Sequence, residues 1–181
     1  LSAVCEEHEA SRIFLVTRKT LFESSGACAF MKRAFGGRSV YRFSEFGQGP
    51  NFDDVVKGAQ YLLREKSEII VAIGGGTVID MAKSINVFQA HDNQHELLNL
   101  AMGKVPVTQT GLPLVAVPTT AGTGSEATHF AVIYVGDTKY SLAHSTMLPK
   151  YAIVDSRLTH GQPAYLTACT GFDALCQAVE S

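Results

Sequence analysis

Short apolar runs alternate along the chain with longer stretches in which apolar side chains return every three or four positions. Residues 12–17, Arg-Ile-Phe-Leu-Val-Thr, are a β-branched and aromatic run that predicts a strand. Residues 21–35 read as a helix closed by Gly36-Gly37, which completes a first β-α unit. A second strand is expected over 39–43, a loop over Gly47-Gln48-Gly49-Pro50-Asn51, and a helix over 53–66 with Val55, Val56, Ala59, Leu62 and Leu63 on one face. Residues 69–73 are apolar throughout and predict a strand buried on both faces, as parallel strands are. Gly74-Gly75-Gly76 then opens a helix whose inward stripe is Val78, Met81, Ala82 and Ile85.

A polar segment at 91–95 precedes a short helix at 97–102, and 114–117 supply another buried strand. Residues 131–135 and 140–144 alternate as a hairpin around Gly136-Asp137-Thr138-Lys139. Residues 152–154 form a last short strand, and a helical segment begins at Pro163. Strands alternating with helices imply an α/β fold with a mostly parallel, doubly wound sheet. No repeat or linker interrupts it. The last residues, Ala178-Val179-Glu180-Ser181, stand inside a helical pattern, so the chain reads as a fragment.

Composition narrows the function. At 181 residues and 46% hydrophobic, the chain can bury a substantial core. Fifteen Lys plus Arg against seventeen Asp plus Glu give a formal charge of −2 with no basic run, which argues against nucleic acid as a partner. The apolar runs are far shorter than the ~20 residues of a membrane span, and no basic-then-apolar leader opens the chain, so no membrane association is expected. Cys5, Cys28, Cys169 and Cys176 are scattered without a CxxC pair, which fits a reducing, cytoplasmic setting.

Strand, glycines, then helix is the arrangement that brings backbone N–H groups and a helix N-terminus up to a phosphate, because a Cβ would hold the anion away. Gly74 to Thr77 is therefore a candidate pyrophosphate cradle. It lacks the G-x-G-x-x-G spacing, and such a turn also serves simply as a tight connection. Pro118-Thr119-Thr120-Ala121-Gly122-Thr123-Gly124-Ser125-Glu126 follows a buried strand. A solvated turn accounts for its glycines but not for its concentration of hydroxyls, and a polar, ligand-facing loop at the carboxyl edge of the sheet accounts for both. Asp173 and Gln177, four apart on the final helix, share a face and could place two oxygens on one ion, although an Asp on a helix is commonly only solvated. His91 and His95 have the same spacing, but in a stretch polar enough to read as a surface loop.

Taken in order, Gly74-Gly75-Gly76-Thr77-Val78-Ile79-Asp80-Met81-Ala82-Lys83, the residue 118–126 block and Thr170-Gly171-Phe172-Asp173-Ala174-Leu175 resemble the iron-containing (group III) alcohol dehydrogenases over nearly all of the chain. The resemblance implies a dehydroquinate synthase-like architecture: a Rossmann-like dinucleotide-binding domain at 1–160 and the start of an all-helical metal and substrate domain at 161–181. It implies a coenzyme pyrophosphate on Gly75, Gly76 and Thr77 with Asp80 on the same helix. Asn51, Thr119, Thr120, Thr123 and Lys139 match further nucleotide-facing positions, and Ser125 lies toward the nicotinamide. It also implies a homo-oligomer, dimeric or larger.

Two departures from the family pattern carry consequences. Where many members place an acidic residue after the first strand's Val-Thr, this chain has Arg18, whose guanidinium favours a 2′-phosphate, so NADP(H) is expected ahead of NAD(H). Where members read Asp-Ala-Leu-x-His, this chain reads Asp173-Ala174-Leu175-Cys176-Gln177. The implied Fe²⁺ or Zn²⁺ would then meet Asp173 and a Gln177 carbonyl, a harder and weaker donor than imidazole. A similar Gln marks the phosphonoacetaldehyde reductase-like branch, which points to an aldehyde bearing an anionic group. The expected activity is metal-assisted hydride transfer between NADP or NAD and a primary alcohol or aldehyde. A dehydroquinate synthase-like or glycerol-1-phosphate dehydrogenase-like enzyme, or a nucleotide-binding module without catalysis, are the alternatives.

Overall fold

A computed structural model describes residues 1–19, 33–91 and 94–180. The strands are β1 (Arg12–Thr17), β2 (Ser39–Phe43), β3 (Ile69–Gly74), β4 (Leu114–Pro118), β5 (Phe130–Val135), β6 (Thr138–Ala143) and β7 (Tyr151–Ala152). The helices are α1 (Ser2–Glu7), α2 (Phe52–Arg64), α3 (Gly76–Phe88), α4 (Gln94–Ala101) and α5 (Ala164–Glu180). Five strands make a parallel sheet in the order β2-β1-β3-β4-β7, and β5 and β6 form a separate antiparallel hairpin. The chain is α/β and Rossmann-like, as the alternation of elements predicts.

Side chains alternate across the central strands, so each feeds two cores. Ile13, Leu15, Ile69, Val71, Ile73, Val115 and Val117 pack on the α1 side, while Phe14, Val16, Ile70, Ala72, Leu114 and Ala116 meet α2, α3 and the hairpin. Helix α2 starts where the Asn51 side chain accepts from the Asp54 amide at 2.9 Å, an N-cap that fixes its first turn. It packs against α3 so closely that a Cβ on Gly58 would come within 2.3 Å of Ile85 Cδ1.

Several expectations need correction. Helix α3 is buried nearly all round rather than along one stripe, because the sheet covers one side and β5 the other; even Lys83 is inside. Leu63, placed on the inward face of α2, is half exposed. Residue 91 does not open a surface loop: His91 is buried and its Nδ1 bonds the Val87 carbonyl at 2.9 Å, closing α3. The short helix then starts at Gln94, seated by buried Leu97 and Leu100. The last strand is shifted to Tyr151–Ala152, since only these residues pair with β4 before the chain turns away and leaves Val154 exposed. The helix expected over 21–35 and Cys28 lie outside the described residues, apart from the helix's last turn at 33–35. Among the described residues no helix is long and apolar enough to cross a membrane.

Candidate coenzyme site

β1 and β3 end side by side, with Thr17 opposite Ile73, and the chain leaves them toward opposite edges of the sheet. That switch point, outside the carboxyl ends of the strands, is where open α/β sheets leave a crevice for a ligand. β3 ends at Gly74, Gly75 is the N-cap of α3, and Gly76 is the first helical residue. The Val78 and Ile79 amides both donate to the Gly75 carbonyl, at 3.0 and 3.2 Å. The Gly76 and Thr77 amides precede them and have no acceptor in their own helix, and no side chain caps the helix. Two free N–H groups and the positive end of a 13-residue helix therefore face the crevice.

The threonine-rich loop roofs this turn. The Thr119 amide donates to the Gly74 carbonyl at 3.0 Å, and the chain then crosses over α3 before Gly124, at φ +61°, turns it into a short helical segment at Ser125–Ala127. A Cβ on Gly75 would lie 2.9 Å from Thr120 Oγ1, and one on Gly76 2.7 Å from Thr123 Cγ2. The glycines are thus required first by the close approach of the loop, a different reason from the clearance for an anion expected from sequence. At the ends of β1 and β4, the hydroxyls of Thr17 and Thr119 are buried without a hydrogen-bond partner. Free amides at a helix start under a close-fitting roof suit a dinucleotide.

Asp80 does not present a free carboxylate to this crevice. Its Oδ1 accepts from Ser125 Oγ at 2.6 Å and its Oδ2 from the Val132 amide at 3.0 Å, so it ties the loop and β5 to α3. Burial pushes its pKa up, against those hydrogen bonds and the attraction of Lys83 and Lys139. Lys83, one turn on, was passed over as a bare motif residue. Its ammonium donates to the Thr128 carbonyl at 2.8 Å, the Thr128 hydroxyl at 3.0 Å and the Phe130 carbonyl at 2.9 Å. Lys83 and Asp80, spaced by three and the only charged residues of α3, are the signal that marks Lys83. Gln162, also missed, donates from its amide nitrogen to the Thr119 carbonyl.

The remaining predicted residues spread around this centre. Arg18, at the end of β1, donates to the Gly47 carbonyl at 2.7 Å and lies over the Phe46 ring at 5.2 Å. Asn51 caps α2 and borders a cavity of about 410 Å³ with Gln48, Gly49 and Tyr134. Lys139, exposed beside the turn of the hairpin, reaches the site through its field on Asp80. Asp173 comes to the loop directly: a Cβ on Gly122 would sit 3.0 Å from its Oδ2 and 2.9 Å from the Thr170 carbonyl. Gln177 follows it one turn later on α5, none of whose residues is buried. A larger cavity of about 690 Å³ lies between the end of β2 and α2, and none of its lining belongs to the glycine turn, the threonine loop or α5.

A parallel sheet with an uncapped glycine-turn helix at its switch point is the arrangement in which open α/β sheets take a nucleotide. The sequence profile of iron-containing alcohol dehydrogenases matches residues 1–156, and the chain belongs to that family. It is 37% identical to a 4-hydroxybutyrate dehydrogenase of Cupriavidus necator, over all of this chain and 48% of that protein. It is also 37% identical to an NADPH-dependent butanol dehydrogenase of Clostridium saccharobutylicum, over 73% of this chain and 34% of that protein. Among solved structures, a sulfoacetaldehyde reductase of Bifidobacterium kashiwanohense in complex with NAD⁺ superposes with a TM-score of 0.92 at 31% identity, covering 99% of this chain and 48% of that one. The chain spans about half the length of the first of these relatives or less.

Proposed function

We propose that this chain is the coenzyme-binding part of an NAD(P)-dependent oxidoreductase that passes hydride between the nicotinamide C4 and a primary alcohol or its aldehyde. The observation that carries the proposal is the uncapped start of α3 under the Thr119–Ser125 roof. Gly76 and Thr77 bind the pyrophosphate through their amides, and the threonine loop excludes water from it. The aldehyde bears an anionic group, a proposal supported by two relatives whose names denote substrates carrying an acid group, 4-hydroxybutyrate and sulfoacetaldehyde. Residues 1–160 form the coenzyme domain and 161–181 begin the next, in keeping with a family match that ends at 156 and a helix α5 without a buried residue. A homo-oligomer and a cytoplasmic setting belong to the same proposal; Cys5, Cys169 and Cys176 are free thiols.

The divalent metal is a separate part of the reading. Asp173 and Gln177 offer two oxygen donors one turn apart, and the described residues hold no group of three His, Cys, Asp or Glu that would complete a site. The pair therefore fits a portion of a coordination shell and not the whole. When bound, the ion would polarise the substrate oxygen as a Lewis acid. Gln177→His supplies an imidazole in place of a carboxamide and is expected to raise the iron or zinc content of the whole protein. Unchanged metal content by elemental analysis would remove Gln177 from the site.

Nicotinamide fluorescence with NADPH and NADH tests binding, and aldehyde-dependent loss of absorbance by the whole protein tests turnover. Binding followed by turnover is expected, whereas binding without turnover across short aldehydes would make this a nucleotide-binding module. NADPH is expected to bind more tightly than NADH. Arg18→Asp should invert that preference by about tenfold or more, since a carboxylate repels the 2′-phosphate and accepts from the ribose. A preference for NADH in the unmodified protein would overturn the assignment of Arg18.

A further inference from the structure

Residues 125–132 run alongside α3 and are pinned to it at four points by two side chains. Asp80 holds Ser125 and Val132, and Lys83 holds Thr128 and Phe130 between them. This segment carries the far end of the loop that roofs the glycine turn, while the near end is fixed by the Thr119 amide on Gly74. Lys83 is fully buried and bonds neither the turn nor the hydroxyls of Thr119, Thr120 and Thr123, so nothing in the proposed hydride transfer uses it. An ammonium has three N–H donors, and Lys83 has three oxygens at 2.8, 3.0 and 2.9 Å, so each donor has its acceptor.

We propose that Lys83, as an ammonium, is a positioning residue that seats the threonine loop over the coenzyme. The inference rests on the coenzyme reading given above. A neutral amine keeps two N–H donors for the two carbonyls and meets the Thr128 hydroxyl only by accepting from it, which draws that hydroxyl off the Ser125 carbonyl and replaces three charge-assisted bonds by weaker neutral ones, so the segment loosens. The charged groups around Lys83 are Asp80 on its own helix and Glu126 on the short helical turn; Lys139 of the hairpin acts on Asp80, and His129 sits between the two acceptor residues. Burial drives the Lys83 pKa down to about 8, against the attraction of Asp80 and Glu126.

The sign of the linked stability is opposite to that of the loop effect. The folded chain gives up this proton near pH 8, the unfolded chain only near 10.5, so between them the unfolded state binds more protons and Lys83 makes stability rise with pH. Coenzyme affinity therefore falls above pH 8 while this group does nothing to lower the melting temperature. A residue that merely held the fold together would not separate the two.

The test is the Kd for NADPH by nicotinamide fluorescence between about pH 7 and 9, a range in which few other side chains titrate. In the unmodified protein Kd should rise about tenfold across an inflection near pH 8, the size of one lost hydrogen bond to a charged group. Lys83→Met should bind weakly at every pH without the inflection. Thr128→Val removes one acceptor and makes the ammonium less favourable, so it should move the inflection to lower pH. A flat profile, a folded Lys83→Met that binds as tightly as the parent, or an unmoved inflection in Thr128→Val would each overturn the proposal. If Lys83→Met fails to fold, the parent and Thr128→Val profiles decide. Amide hydrogen exchange at Ala127 and Val132 without coenzyme, corrected for intrinsic rate, separates this proposal from the coenzyme reading. Protection should fall across the same inflection, and unchanged protection would refute the role of Lys83. Failure of NADPH to bind at any pH would refute the coenzyme reading instead.

Discussion

The Asp80→Ala variant is expected to lose about 3 kcal/mol of stability, near the lower end for breaking a buried charged pair because Asp80 keeps some exposure. The substitution strands three groups at once. Ser125 Oγ and the Val132 amide lose their acceptor, and the fully buried Lys83 ammonium loses its carboxylate neighbour. For a chain of this length the loss should lower the melting temperature by on the order of 10 °C in a thermal scan. Burial moves both members of the pair toward their neutral forms, Asp80 upward and Lys83 downward, so desolvation outweighs their attraction. Replacing both by hydrocarbon, as in an Asp80→Leu, Lys83→Met double variant, removes the stranded charge but leaves Ser125, Val132 and the Thr128 and Phe130 carbonyls without these partners, so it should recover only the part of the Asp80→Ala loss due to that charge and none of the NADPH affinity. A double variant less stable than Asp80→Ala would show that the pair contributes net stability.

Gly76→Val should abolish coenzyme binding with little effect on the fold. Gly76 is the first residue of α3 and does not lie in the left-handed region, so a valine there is compatible with the backbone. Its Cβ, however, would stand 2.7 Å from Thr123 Cγ2, and its branches would push the roof away and crowd the amides below it. Losing two hydrogen bonds from those amides to a phosphate, at ~1.5 kcal/mol each, corresponds to at least about a hundredfold weaker NADPH binding. Fluorescence titration measures that loss, and a melting temperature within a few degrees of the parent would show that the fold survives. Unaltered affinity in Gly76→Val would mean that the pyrophosphate lies elsewhere.

The parts of this fold that were legible in the sequence are those in which one local rule suffices. β3 and β4 are continuous apolar runs, α2 repeats at the helical period, and the hairpin alternates around Gly136, so each declares itself within a few residues. Helix α3 misleads because a periodic reading places charged residues outside, and the hairpin that covers Asp80 and Lys83 comes some fifty residues later. His91 misleads for the same reason: its neighbours are polar, but its ring turns back onto Val87. The glycine turn and the threonine loop were visible from composition alone. Their contacts were not, since Gly75 with Thr120, Gly76 with Thr123 and Asp80 with Ser125 join positions that only the β3-to-β4 crossover brings together.

Gly122 sets the separation between the threonine loop and α5. A single hydrogen atom there stands between the loop that roofs the glycine turn and the helix that bears Asp173. Any methyl group added at that point would drive a wedge between the two. The approach of the threonine loop to α5 is thus set by the absence of a side chain at 122, and if the proposed function holds, an alanine there is expected to slow turnover while leaving NADPH affinity unchanged.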